Sequence, residues 1–210
     1  RQDHWAVKVP VFSMSKLNQV DTNLGPEMKS TGEVMGLDEN YEQALYKGLV
    51  AAGIDIPESG TILATIADKD KAEALPYIEE FAQLGFNIVA TQGTAQALKE
   101  RGVEVEEVKK LSAGSPNVID LIKEDEVDLV VNTMTKGKIP ERDGFKIRRN
   151  AVEMGVPCLT SLDTAEAILH VLQELEEGAG LTITLAAVTH GGHRYVVLTH
   201  AGRHGQARSA

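Results

Sequence analysis

From Thr61 onward the sequence predicts a three-layer α/β domain built on a five-stranded parallel sheet. Three observations predict it. Short apolar runs alternate with amphipathic segments along the chain, as strands alternate with covering helices. The runs, such as Thr61–Ala67 and Asp128–Asn132, show no polar face, which suits strands buried on both sides. Glycines such as Gly85 stand where the amphipathic segments should stop.

Ahead of that domain, Trp5, Val7, Val9 and Val11 alternate with Ala6, Lys8 and Pro10, a strand pattern that the proline weakens. The stretch Leu24–Gly36, LGPEMKSTGEVMG, has neither a 3.6 nor a 2.0 period, and three glycines and one proline interrupt it. It reads as a shaped loop that touches something, or as an ordinary polar connector. Glu39–Ala52 is expected to be a helix, with Tyr41, Leu45 and Leu49 on one face and Gly53 ending it. Ile54–Gly60 carries Pro57, Ser59 and Gly60 and is read as a linker.

Thr61–Ala67 is the first sheet strand. Lys69–Leu84 follows as a helix, with Leu75, Ile78, Phe81 and Ala82 on one stripe. Asn87–Thr91 is the second strand and Thr94–Glu100 the second helix. Val103–Leu111 is a weaker third strand, Asn117–Lys123 a short helix, and Asp128–Asn132 a buried strand. Lys146–Met154 is a helix, Pro157–Thr160 a strand, and Thr164–Leu175 the last helix, carrying Ile168, Leu169, Leu172 and Leu175. Beyond it, Leu181–Val188 and Arg194–Thr199 have strand composition, with Thr189–His193 between them as a hairpin turn. The expected divisions are 1–36, 37–60, 61–177 and 178–210.

The 210 residues carry 31 acids against 21 bases, a net charge of −10, which argues against a nucleic-acid partner over the chain as a whole. A 42 % hydrophobic and 25 % charged composition is that of a globular protein with a real core. Neither a run of about 18 apolar residues nor a signal-peptide pattern occurs, so no membrane is expected and cytoplasm is the expected compartment. The chain opens on Arg1 without a methionine, which suits a fragment. The single cysteine, Cys158, lies in the apolar run Val156–Leu159 and is expected to be a core thiol. His190-x-x-His193 and His200-x-x-x-His204 have spacings a metal could use, but no cysteine or carboxylate lies near, and no metal is expected.

In an open parallel sheet, ligands bind beyond the C-terminal strand ends. There the second strand gives way to Thr91-Gln92-Gly93-Thr94. Its glycine admits a close backbone approach, its hydroxyls donate, and the next helix offers free N–H groups and a positive dipole end. Capping of that helix by a threonine is the plainer explanation. Thr65 closes the first strand, Lys71 begins the first helix, Lys109 and Lys110 end the third strand, and Asn132–Thr135 ends the fourth. Lys136–Arg149 then holds six bases (Lys136, Lys138, Arg142, Lys146, Arg148, Arg149) against Glu141 and Asp143. Backbone amides, hydroxyls and lysines converging there describe a phosphate site; a solvated basic loop is the alternative. Asp68 and Asp70 are read as favouring the helix N-terminus.

LGPEMKSTGEVMG resembles the segment that closes an ATP-grasp lobe in the large subunit of carbamoyl-phosphate synthetase, and Val9–Ser13 resembles the strand before it. From Thr61 to about Leu175 the chain is similar to the methylglyoxal-synthase-like, Rossmann-like domain that binds allosteric effectors in that subunit. The resemblance implies a phosphate held by Lys71, Thr91, Thr94 and Lys110, with Gly93 shaping the turn. It places the ribose and base against Thr65, Asn132 and the following loop, with Thr133, Thr135 and Lys136. The implied effectors are uridine monophosphate as inhibitor and phosphoribosyl pyrophosphate or inosine monophosphate as activator. Cys158 stands where ornithine-responsive members carry tyrosine, so ornithine control is not implied. The whole enzyme makes carbamoyl phosphate from bicarbonate, ATP and glutamine-derived ammonia, for pyrimidine and arginine synthesis, using ATP with Mg or Mn. This chain is expected to hold no cofactor of its own. Its implied partners are the rest of the large subunit and the glutaminase small subunit, with a homo-oligomer as a further expectation.

Two other readings compete. Methylglyoxal synthases share the fold and act as lyases on dihydroxyacetone phosphate, using an aspartate in a Gly-Gly-Asp stretch to move protons. The matching stretch here is Ala113–Asn117; Ser115 falls where the acid belongs, and no carboxylate lies between Glu107 and Asp120. A hydroxyl with no base beside it cannot replace that acid. The third reading is a subunit-docking module using its apolar edges and the Tyr41 helix.

Overall fold

The computed structural model describes residues 4–12, 30–133, 143–176, 183–190 and 193–200. These form two compact units: 55–172 is one, and the residues before and after it form the other.

In the flanking unit, β1 (Trp5–Phe12) pairs antiparallel with β2 (Ser30–Asp38), Val9 opposite Val34 and Val7 opposite Gly36. The second half of the expected irregular loop is therefore a strand, and Lys29 and the residues before it to Ser13 lie outside the described residues. The period of two was present, but glycine held an inward position. Glu33, Met35 and Leu37 are exposed, while Gly36 faces the helix α1 (Tyr41–Ala51). A Cβ on Gly36 would stand 1.9 Å from the Ala44 carbonyl oxygen, so the strand lies directly on the helix backbone. Asn40 caps α1, its Oδ1 accepting from the Gln43 N–H at 3.2 Å. Gly53, at φ +80°, ends the helix as expected. Lys47 is 1 % exposed and is paired with Asp38.

The 55–172 unit holds the parallel sheet. Its strands are β3 (Thr61–Thr65), β4 (Asn87–Thr91), β5 (Glu106–Val108), β6 (Leu129–Asn132) and β7 (Cys158–Leu159), in the order β5-β4-β3-β6-β7. Between them run α2 (Lys71–Gln83), α3 (Gln92–Glu100), α4 (Val118–Lys123) and α5 (Asp143–Met154), and α6 (Leu162–Glu176) follows. Leu63, Val89 and Val130 pack with Val118, Ile122, Ile147 and Ala151, so α4 and α5 cover one face. Ile62, Ala64, Ile88 and Ala90 point to the other by alternation, where right-handed crossovers carry α2 and α3. The expected five-stranded parallel α/β fold is the observed one.

Boundaries differ where polar residues begin helices. A 3-10 turn at Asp68–Asp70 precedes α2, and α3 starts at Gln92, with Gly93 inside its first turn. The expected third strand shortens to Glu106–Val108, and Leu111–Ala113 is a 3-10 turn. Two further strands among the described residues, β8 (Ile183–His190) and β9 (His193–His200), pair antiparallel, as expected of the tail.

Candidate functional site

The sheet order reverses direction at β3: the chain moves outward through β4 and β5, then returns to β6 on the other side. Such a reversal leaves a crevice beyond the strand ends. Here it is a cleft of about 550 Å³ whose wall includes Thr65, Asp68, Thr91, Lys110, Asn132 and Arg148. A larger hollow of about 810 Å³ lies at the opposite end, lined by the starts of β3 and β4 and by the Glu79–Arg101 ion pair. The smaller cleft is the better site. Helix N-termini and their unpaired N–H groups gather at the C-terminal ends of parallel strands, not at their starts.

Lys110 and Asp68 line the cleft, and Lys71 pairs with that same aspartate. Lys71 Nζ lies 2.7 Å from Asp68 Oδ1 and also donates to the Gly93 carbonyl oxygen at 2.7 Å, which ties α2 to the first turn of α3. Asp68 has its carboxyl lowered below the usual range by the Lys71 hydrogen bond, by the Lys71 charge and by the charge of Lys110. Lys71 and Lys110 therefore act on the same carboxylate. Gly93 leaves this room: a Cβ there would lie 3.2 Å from Lys71 Nζ. Lys109 turns away, with Nζ donating to the Ser115 carbonyl at 3.4 Å.

The floor is made of buried hydroxyls and one amide. Asn132, 3 % exposed at the end of β6, donates through Nδ2 to Thr65 Oγ1 at 2.6 Å. Its Oδ1 accepts from Arg148 Nη1 at 2.6 Å. Thr133 Oγ1 accepts from the Ala67 N–H at 2.8 Å, and Thr94 Oγ1 from the Ile66 N–H at 3.3 Å. The threonines thus also fasten the backbone that follows β3.

Most of the expected site residues come together. Thr65, Thr91, Lys110, Asn132 and Thr133 line the cleft, and Lys71 and Gly93 meet at its rim. Thr94 is buried at 1 % exposure, where its oxygen serves Ile66. Thr91 holds the N-cap position of α3 but makes no side-chain cap bond, so the capping explanation does not describe it. Thr135 and Lys136, with Lys138, Glu141 and Arg142, lie outside the described residues. Of the remaining bases, Arg148 lines the cleft, while Arg149 is paired with Glu153 at 2.9 Å and Lys146 is exposed.

Sequence reasoning missed three features. Asp68, read only as a helix-dipole partner, is the counter-ion of the rim. Arg148 was counted as a charge, but its reach depends on where α5 begins. Ser115 does have a carboxylate beside it: its Oγ donates to Asp120 Oδ2 at 2.7 Å. Asp120 reaches back because it is the third residue of α4 and also accepts from the Asn117 N–H at 3.0 Å, closing a capping box. That pair lacks an imidazole to carry a proton and does not line the cleft. The Cys158 thiol is pushed up to about 12 by burial, so it is inert at neutral pH, in keeping with a core thiol. Among the described residues, no group of three or more His, Cys, Asp or Glu could hold a metal, and no helix is long and apolar enough to cross a membrane.

Residues 73–160, from within α2 to the end of β7, match the family model of the MGS-like domain. Among solved structures, the chain is similar to methylglyoxal synthase from Elizabethkingia anophelis NUHP1, with 23 % identity over 54 % of this chain and 79 % of that one, at a TM-score of 0.46. It is also similar to ForH, with 22 % identity over 59 % of this chain and 83 % of the other, at a TM-score of 0.40.

Proposed function

We propose that the cleft beyond β3, β4 and β6 binds a phosphorylated metabolite as an allosteric effector, in the regulatory domain of a cytoplasmic carbamoyl-phosphate synthetase large subunit. The observation that carries this reading is the Lys71–Asp68 ion pair at 2.7 Å beside the first turn of α3, with Lys110 and Asp68 in the wall of the same cleft. Two ammonium groups and a helix N-terminus suit a phosphate group, and the hydroxyls of Thr65 and Thr133 suit the oxygens of a sugar. Uridine monophosphate, inosine monophosphate and phosphoribosyl pyrophosphate all have that chemistry. Residues 1–36 are read as the end of an ATP-grasp lobe, on the LGPEMKSTGEVMG resemblance. An effector bound more tightly in one arrangement of the enzyme than in another shifts activity, and a coupling of ~1–3 kcal/mol is enough.

A lyase acting on dihydroxyacetone phosphate is the second reading, favoured by the carboxylates of Asp68 and Asp143 in the cleft wall. Asp68 is a poor base for it, because the lysine that holds it anionic also lowers its proton affinity.

Isothermal calorimetry with these three phosphorylated compounds tests the effector reading. Lys110→Ala is expected to weaken binding about tenfold, the loss of one charge-assisted contact, without lowering the melting temperature. Unchanged affinity removes the site assignment. Thr94→Ala is the less clean probe: it strands the Ile66 N–H and should itself cost about 1–3 kcal/mol of stability. Product formation from dihydroxyacetone phosphate would favour the lyase.

A further inference from the structure

We propose that Arg148 is a positioning residue that makes Thr65 a hydrogen-bond donor toward the bound metabolite, acting through Asn132. This rests on the proposed function, which places the metabolite in the cleft that Thr65 lines.

The polarity of the relay follows from what each group can do. A guanidinium has donors only, so the amide atom of Asn132 that meets Arg148 Nη1 at 2.6 Å is its oxygen. The other end of the amide, Nδ2, then donates to Thr65 Oγ1 at 2.6 Å. Thr65 has accepted one bond, and none of the described groups takes its proton. That proton is left for the cleft. If Arg148 is lost, the amide of Asn132 is free to turn by half a revolution. Its oxygen then faces Thr65, the hydroxyl donates inward, and the cleft meets a lone pair where it had met a proton. One cation on α5 thereby sets the sign of a contact it does not itself make.

Two further features fit. Thr133 in the cleft wall likewise accepts from a backbone N–H, at 2.8 Å, and none of the described groups takes its proton. The floor is rich in donors, and the ligand atom opposite Thr65 is an acceptor such as a phosphate, carbonyl or ether oxygen. Gly144 keeps the relay unobstructed: a Cβ there would stand 3.2 Å from Arg148 Nη1 and 3.6 Å from Asn132 Oδ1.

The test is calorimetry with uridine monophosphate on the wild-type chain, Arg148→Met, Arg148→Lys, Thr65→Val and the Arg148→Met/Thr65→Val double variant. Arg148→Met is expected to weaken binding about tenfold, the worth of one hydrogen bond whose sense is reversed. Arg148→Lys, again donor-only, restores most of the affinity. The double variant binds no more weakly than the weaker single variant, because both changes remove the same contact. Fully additive losses, or wild-type affinity in Arg148→Met, overturn the proposal. The Asn132 side-chain amide resonance of the ligand-free protein is the independent readout: it shifts in Arg148→Met and returns in Arg148→Lys. An unmoved resonance overturns the relay even where affinity falls. Failure of the wild-type chain to bind this nucleotide, inosine monophosphate or phosphoribosyl pyrophosphate overturns the effector reading and the ligand-directed role of Arg148 with it, while the resonance still decides whether the relay exists.

Discussion

Asp68 is 94 % exposed at the mouth of the cleft, yet Lys71 and Lys110 hold its carboxyl below its usual range. A phosphate entering that rim meets an anion already there, and like charges resist one another. Asp68→Asn is therefore expected to tighten uridine monophosphate binding by about threefold to tenfold at low ionic strength, with the gain shrinking as salt screens it. Equal or weaker affinity by calorimetry at two salt concentrations would discard the counter-ion role. Asp38 shows the opposite placement. Burial alone would raise its carboxyl, but the Lys47 hydrogen bond and charge, with backbone donors, bring it below its usual value of 3.8. A carboxyl lowered by folding adds stability that is fully present above the unfolded value and is lost as pH falls through the folded one. Acid titration followed by circular dichroism should show this unit weakening below about pH 3.8. Asp38→Asn should remove about 3–5 kcal/mol, because it leaves Lys47 buried without its partner, and should flatten that acid limb. A limb of unchanged slope would assign the effect to other carboxylates.

At the scale of elements, glycine decided what periodicity could not. In Ser30–Asp38 the positions that alternate with exposed Glu33, Met35 and Leu37 are Gly32, Val34 and Gly36, so a hydrophobicity count saw an irregular segment where a strand lies on α1. Gly36 and Gly48 let two backbones approach: a Cβ on Gly48 would lie 2.7 Å from a Val9 methyl, and one on Gly36 would overlap a carbonyl oxygen. The first neighbour is a side chain and can move; the second is backbone and cannot. Gly36→Ala should accordingly cost about 3 kcal/mol or more and Gly48→Ala clearly less, read from urea midpoints. Equal losses at the two positions would mean that the strand-to-helix spacing is not what Gly36 protects. The inner strands β3, β4 and β6 were readable from the chain because they are short, continuous and apolar, whereas the edge strand β5, with Glu106 and Glu107 exposed, is shorter than its composition suggested. Helix starts were less so. The first turns of α3 and α5 are polar, and only packing fixed where they begin.

At the scale of the molecule, the cleft, its lysines and the Arg148 relay all belong to the 55–172 unit. A ligand there stabilises the unit that holds it, by about 2.7 kcal/mol at one hundred times its dissociation constant. Hydrogen exchange with saturating uridine monophosphate should slow in β3, β4 and β6 while β1, β2 and α1 exchange as before. Uniform slowing would mean that the two units open together. The fold class of this unit, the C-terminal ends of β4 and β6 and the identity of most rim residues were set by the sequence itself, because burial on both faces forces a strand to be apolar throughout and ligands gather where such strands stop. Tertiary structure alone decided that Asp68 faces two lysines, that Asp120 folds back on Ser115, and that Arg148 reaches Asn132. Each of these contacts joins residues whose separation along the chain carries no trace of their distance in space, and the direction of each hydrogen bond depends on which partner has a proton to give.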